Sequence, residues 1–360
     1  MAKKQIVKVI AFCLMVCLLL TFLCDMFEYE NTKNFDRRFY TYRTFEEDTI
    51  DAVFLGTSGI DRYWLAAKAY EEHGMTVYPL SSDSMPSWLY PNVMEYALEY
   101  QNPKLIMVDV RAFTKADTTD EGERESMDIR SRRVLDSMRF GSKVWFNAAL
   151  KTMKTIHEKD ATKPAFDISY LLSVVRYHQK WNDDDYSFKK NFGSKIHQYA
   201  GFYMDKNLTA TVSPKDPIKY DTGIEKIDPS CEKAFYEVIE YAKKRNVKLL
   251  FVDTPQLKSG REMLRTNYVL ELIKKEKVDL ITWDYIDGNG NLAFNMGLDL
   301  KTDFYNSGHV NFWGAQKFTD EFAQYLLANY EFKDRRDDEA CKKYWDGRYD
   351  IIKSKVDEWI

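Results

Sequence analysis

The stretch DAVFLGTSGIDRY, residues 51–63, decides how the chain is read. An apolar run of strand length, Ala52 to Leu55, meets a turn of small residues, Gly56-Thr57-Ser58-Gly59. Apolar residues at helical spacing follow: Ile60, Tyr63, Trp64, Ala67 and Tyr70. Strand, tight turn and helix in that order present a serine at the edge of a parallel sheet, beside the N–H groups that open the helix. Ser58 is then a nucleophile or only a turn residue, according to what the rest of the chain brings to it.

The alternation continues outward from this stretch. A helix is expected over Ile60–His73, a second strand over Met75–Leu80, and a helix from about Ser87 to Tyr100. KLIMVDV, residues 104–110, is a continuous apolar run of the kind buried on both sheet faces. The pattern pauses over residues 115–229, where charge-rich loops and two helices, near Trp145–His157 and Phe166–Trp181, are expected. It resumes with CEKAFYEVIEYAKKRN (231–246), whose Ala234, Phe235, Val238, Ile239 and Ala242 share one helical face. KLLFVDTP supplies a fourth strand, a helix runs to about Lys277, DLITWDY supplies a fifth strand, and Trp313–Tyr330 forms the last core helix. Five strands joined by helices predict an α/β fold: a three-layer α/β/α domain on a five-stranded parallel sheet, residues 51–330, with a mostly helical insertion at about 115–229. The tail, residues 331–360, is expected to be helical and to pack on the domain or lie near a membrane.

The N-terminus carries Lys3, Lys4 and Lys8 and then an uncharged apolar run from Val9 to Cys24. With Ile6 and Val7 the segment 6–24 approaches the ~20 residues of a membrane helix. The run ends Thr-Phe-Leu-Cys-Asp, without the small residues a signal-peptide cleavage site needs, so an uncleaved single-pass anchor is expected. Residues 25–50 read as a stalk, and the short N-terminal tail favours cytoplasm-in, domain-out topology. The net charge of −4 over 360 residues points away from a nucleic-acid partner. Three of the five cysteines lie in the anchor, which excludes a disulfide framework, and no Cys/His spacing suggests a metal. With no Walker loop and no dinucleotide fingerprint, no cofactor is expected. The cluster Arg130, Arg132, Arg133 and Arg139 reads as a solvated face, with an anion-binding patch as the other reading.

Ligands of such sheets bind outside the carboxyl ends of the strands. Ser58 follows strand one there, and LDLKTDFYNSGHVNFWGAQKF brings Asp299, Asp303, Asn306 and His309 to the same edge before the last helix. Serine beside an imidazole that takes its proton, with a carboxylate orienting that imidazole, is the minimum constellation for covalent acyl transfer.

DAVFLGTSG and DFYNSGHVNFWGAQKFTDEFAQYL together resemble the SGNH/GDSL hydrolase superfamily. More narrowly they resemble its membrane-anchored bacterial branch, similar to the teichoic-acid D-alanine transfer and alginate O-acetylation proteins. The resemblance covers about residues 51–111 and 231–329. It implies Ser58 as nucleophile, His309 as general base, and an oxyanion hole from the Ser58 amide and an amide near Ser81 or Ser82. The family's acid stands three residues before the histidine, where this chain has Asn306; an Asn can orient an imidazole through its amide oxygen but lends it no charge, and Asp303 is the available substitute, with Asp299 a poorer one. Gly59 stands where the branch often has histidine, and Arg111 appears where the superfamily has asparagine after the third strand. Arg111 would donate to an oxyanion or a substrate anion, or pair with Asp109 or another carboxylate. The implied activity is an extracytoplasmic serine esterase or O-acyltransferase acting on acyl esters of cell-surface polysaccharide. The implied partner is a polytopic membrane-bound O-acyltransferase. The competing expectation is a catalytically degenerate accessory subunit that binds the polysaccharide or that acyltransferase.

Overall fold

A computed structural model describes residues 3–27, 36–114, 126–182, 196–209, 217–258 and 260–360. The apolar runs become the strands β1 (Ala52–Gly56), β2 (Val77–Ser81), β3 (Leu105–Asp109), β4 (Lys248–Asp253) and β5 (Asp279–Thr282). They form one five-stranded sheet in the order β2-β1-β3-β4-β5, every neighbour parallel. Every residue of β1 and β3 is buried, as continuous apolar runs require of interior parallel strands, and so is every residue of the edge strand β2. Because β2 lies on one side of β1 and β3 on the other, the chain reverses its winding at the end of β1. A crevice opens at such a point in parallel sheets, and Ser58 stands beside it.

The helix expected over Ile60–His73 is two helices, Ser58–Asp61 and Ala66–His73. The break serves long-range bonds. Trp64 turns its indole N–H to the Val77 carbonyl at 2.9 Å, and the Tyr63 hydroxyl reaches the Pro255 carbonyl. The helix Pro229–Arg245 starts two residues early because Asp228 caps the Ser230 amide and Pro229 suits a first turn. The segment DLITWDY stops pairing at Thr282. Asp284–Ile286 (β6) then turns away to pair antiparallel with Leu292–Phe294 (β7), and Trp283 packs on Phe318 and Phe322. The helix Phe312–Asn329 is capped by Asn311, whose side chain accepts from the Gly314 amide.

Within the insertion, a helix over Lys143–Lys159 is present, and a second, Met127–Ser137, was not foreseen. The expected Phe166–Trp181 helix is a series of short pieces: Ile168–Tyr170, Ser173–Tyr177 and His178–Asn182. Arg130, Arg132 and Arg133 are buried, which corrects both readings of the basic cluster. Arg132 alone bonds Asp128, Asp167 and both oxygens of Ser169, and lies on the Tyr170 ring. Arg139 is exposed.

The N-terminal helix runs Lys3–Met26. Its 22-residue segment Lys3–Cys24, whose most apolar stretch has a mean hydropathy of 2.8 and is not buried, is long and apolar enough to cross a membrane. The expected stalk is only partly one. Asp36–Tyr42 is a helix whose Arg38, Phe39 and Tyr42 are buried, with Arg38 Nε on the Gly201 carbonyl at 2.6 Å. Residues 28–35 lie outside the described residues. The tail forms the helices Glu339–Trp345 and Arg348–Asp357 and packs on the domain through buried Trp345, Tyr349, Ile352 and Val356.

Candidate active site at the end of the first strand

Thr57 is extended and caps the short helix Ser58–Asp61, its hydroxyl accepting from the Gly59 amide. Ser58 is thereby the first helical residue, half-buried just past the carboxyl end of β1. The other end of that helix is held from beneath. Asp61 is buried between Arg38 at 3.2 Å and Arg62 at 2.9 Å, and accepts the Ser81 hydroxyl at 3.0 Å. A buried carboxylate survives only with such partners.

His309 comes from a tight antiparallel pair, Phe304–Asn306 (β8) and His309–Val310 (β9), in which Asn306 and His309 are direct partners across the Ser307-Gly308 turn. Its Nε2 lies 2.8 Å from Ser58 Oγ. Its Nδ1 lies 3.0 Å from Asn306 Oδ1, and the same oxygen accepts the Gly308 amide at 2.9 Å. The Gly308 N–H can only donate, so it determines which end of the Asn306 amide faces the ring. An oxygen there requires the proton on Nδ1 and leaves the lone pair on Nε2 towards Ser58. That is the tautomer of a general base. The ring also stacks on Tyr305, with centroids 5.6 Å apart and planes 12° apart.

Asp303, the expected substitute acid, is occupied elsewhere. Its carboxylate accepts the Asp299 amide at 2.6 Å, Lys317 Nζ at 2.7 Å and the Thr302 hydroxyl at 3.3 Å. It ties the loop to the last helix. Gly314 belongs to the same device, since a Cβ there would lie 2.3 Å from the Asp303 carbonyl. Asn306 is thus the residue that orients His309.

Arg111 follows β3, is buried, and grips the histidine turn. Its Nη1 donates to the Gly308 carbonyl at 2.8 Å and its Nη2 to the Tyr63 hydroxyl at 3.2 Å. Tyr63 in turn bonds the Pro255 carbonyl, with the Gly308 carbonyl at 3.2 Å. The observed role of Arg111, a clamp on the loop, is not among those expected of it. Its backbone amide, not its guanidinium, bonds the Asp109 carboxylate at 3.2 Å. Burial pushes the Asp109 carboxyl up to about 6, partly offset by Arg111. The packing also explains Gly59: a Cβ there would lie 2.7 Å from Asp109 Oδ2 and 2.9 Å from Arg111 Nη1. No side chain fits without displacing the clamp.

Of the amides expected to donate after β2, that of Ser82 is engaged within the fold. The Ser82 amide donates to the Gly56 carbonyl at 3.2 Å, and the Ser81 hydroxyl is held by Asp61. The Ser82 hydroxyl is buried and, among the described residues, without a hydrogen-bond partner. Sequence reasoning missed Tyr63, Arg38 and Asp61. Tyr63 lay in the opening stretch, but its partners are 192 and 245 positions away and leave no local signal.

The arrangement combines a hydroxyl, a base in the correct tautomer and a neutral orienting amide, so it can deprotonate Ser58 as it attacks an electrophilic carbon. No protein-family model matches the chain, and no curated protein matches it at a significant level.

Proposed function

We propose that the chain is a membrane-anchored serine esterase or O-acyltransferase of the SGNH type, with a three-layer α/β/α domain outside the membrane. Its substrates are acyl esters of cell-surface polysaccharide. The observation that carries this reading is the Ser58–His309–Asn306 chain of hydrogen bonds, 2.8 and 3.0 Å long. Support for the anchor comes from the apolar N-terminal helix, whose last turn is seated on the domain: Cys24 and Met26 are buried there. A polytopic membrane-bound O-acyltransferase that supplies the acyl group belongs to the same proposal.

In the reaction, Ser58 Oγ attacks the ester carbonyl carbon while His309 Nε2 accepts the hydroxyl proton. The tetrahedral intermediate collapses as the carbon–oxygen bond to the leaving alcohol breaks, and the imidazolium returns its proton to that oxygen. Water, or a sugar hydroxyl in transfer, then attacks acyl-Ser58 with His309 again the base; the acyl carbon–Oγ bond breaks and the imidazolium returns its proton to Ser58. The Ser58 amide, at the helix start, is the donor assigned to the developing oxyanion. Asn306 supplies orientation without charge, so the imidazolium is less stabilised than beside a carboxylate.

That neutral partner is also the observation favouring a non-catalytic accessory subunit. Full-length protein treated with a fluorophosphonate probe separates the two. The enzyme reading expects labelling that disappears in Ser58→Ala, falls sharply in His309→Ala and persists in Asp303→Asn. A wild-type protein that takes no label in membranes containing its native partners would leave the accessory role.

A further inference from the structure

The N-terminal helix does not simply trail from the domain. Its last turn leaves carbonyls without intrahelical partners, and the Cys24 carbonyl accepts the Ser173 hydroxyl at 2.9 Å. Ser173 opens the short helix Ser173–Tyr177 of the insertion and is buried, as are Cys24 and Met26. At 1.5 Å rise per residue, the 22-residue span Lys3–Cys24 measures about 33 Å, close to the ~30 Å of a bilayer core. The contact between Cys24 and Ser173 therefore lies at the level where the helix leaves the hydrocarbon.

The residues flanking Ser173 are apolar and unburied. Phe166 is 58% exposed and Trp181 63%, with Ile168 and Val175 also exposed. Around them stand Tyr177, with Lys180 Nζ 4.7 Å from its ring centre, and exposed Arg176. Trp and Tyr beside long basic side chains favour the headgroup region, where rings bury their bodies and cations reach water. An exposed patch of this kind signals an interaction surface, and its continuity with the apolar helix says which one.

We infer that the insertion segment 166–182 lies in the interfacial layer of the bilayer, so that the domain is seated on the lipid surface. The inference rests on the anchoring reading and adds a second membrane contact to it. The seat fixes the tilt of the domain, and so the height at which Ser58 meets a membrane-bound donor or acceptor.

The test reconstitutes the full chain into phosphatidylcholine–phosphatidylglycerol vesicles containing lipids spin-labelled either near the headgroup or near the chain end. Alkaline carbonate extraction reports whether the helix is inserted. The emission difference between wild type and Trp181→Phe reports Trp181 alone. The expected result is an extraction-resistant protein whose difference emission is largely lost with the shallow label and mostly retained with the deep one. Moving the reporter, as Phe166→Trp in the Trp181→Phe background, should give the same pattern from the other side of Ser173. Resistant protein with a difference emission indifferent to both labels overturns the seating and leaves the anchor standing. Stronger quenching by the deep label also overturns it, because the segment would then be inserted rather than interfacial. Protein extracted by carbonate overturns anchor and seating together.

Discussion

Asn306 and His309 face each other as partners across a two-residue turn, and one amide oxygen serves both the imidazole Nδ1 and the Gly308 N–H. The orienting group of the candidate triad is built into the backbone geometry of a hairpin.

Replacing Asn306 tests that arrangement from two directions. Asn306→Ala frees the ring and the tautomer, and is expected to lower the rate of ester cleavage by roughly 10²–10⁴, by analogy with loss of the orienting partner in serine-protease triads. Asn306→Asp keeps the acceptor and adds a negative charge that favours imidazolium. The acid limb of the rate–pH profile should then move to higher pH. Steady-state kinetics across pH measure both; an unchanged profile in the Asp variant would place the base elsewhere.

Tyr63→Phe removes the hydroxyl shared by Arg111, the Pro255 carbonyl and the Gly308 carbonyl. Buried groups left unpaired cost about 1–3 kcal/mol, which urea melts should register. Because the lost bonds hold the histidine turn, turnover should fall more than substrate affinity. A variant with unaltered kcat would show that the clamp is only structural.

Two carboxylates surround one buried ammonium at the end of β4: Lys258 Nζ lies 2.6 Å from Asp253 and 2.6 Å from Asp284. Burial pushes the Asp284 carboxyl up to about 7, from a usual value of 3.8. A carboxyl raised in the fold binds its proton more tightly there than in the unfolded chain. Its stabilising effect is therefore present below about pH 4 and lost as pH rises through about 7. Asp284→Asn should raise the melting temperature at pH 8 and change it little at pH 4, as read by calorimetry.

Trp345 is 1% exposed and stacks on Phe45 and Tyr70, with centroids 5.9 and 5.6 Å away. Trp345→Ala should cost about 3–5 kcal/mol. A loss below about 1 kcal/mol would mean that the tail is a separable appendage.

The central strands were legible because continuous apolar runs admit few other readings. The edge between 51 and 63 was legible as strand and turn, but its helix was not. The break at Arg62–Leu65 follows from bonds to Val77, Pro255 and Thr319, none near in sequence. The arginines of 130–133 misled for a similar reason. A run of charges carries no record of Asp167 and Ser169, which receive Arg132 from 35 and 37 positions away. At the site, the three-residue spacing of Asn306 and His309 was visible, whereas the preference for a charged partner pointed to Asp303. The turn at Ser307-Gly308 decides between them, because it sets 306 against 309 while Asp303 is drawn to Lys317.

The bond between Ser58 and His309 closes a span of 251 positions, and Arg335 returns over 284 to grip Asp51 at the foot of β1. Long-range closures of this kind form late, after local helices and neighbouring strands. During synthesis Ser58 emerges early and waits without His309. Under the proposed function, a chain released before its last fifth has docked carries Ser58 as an ordinary alcohol, and reactivity arises only with completed assembly.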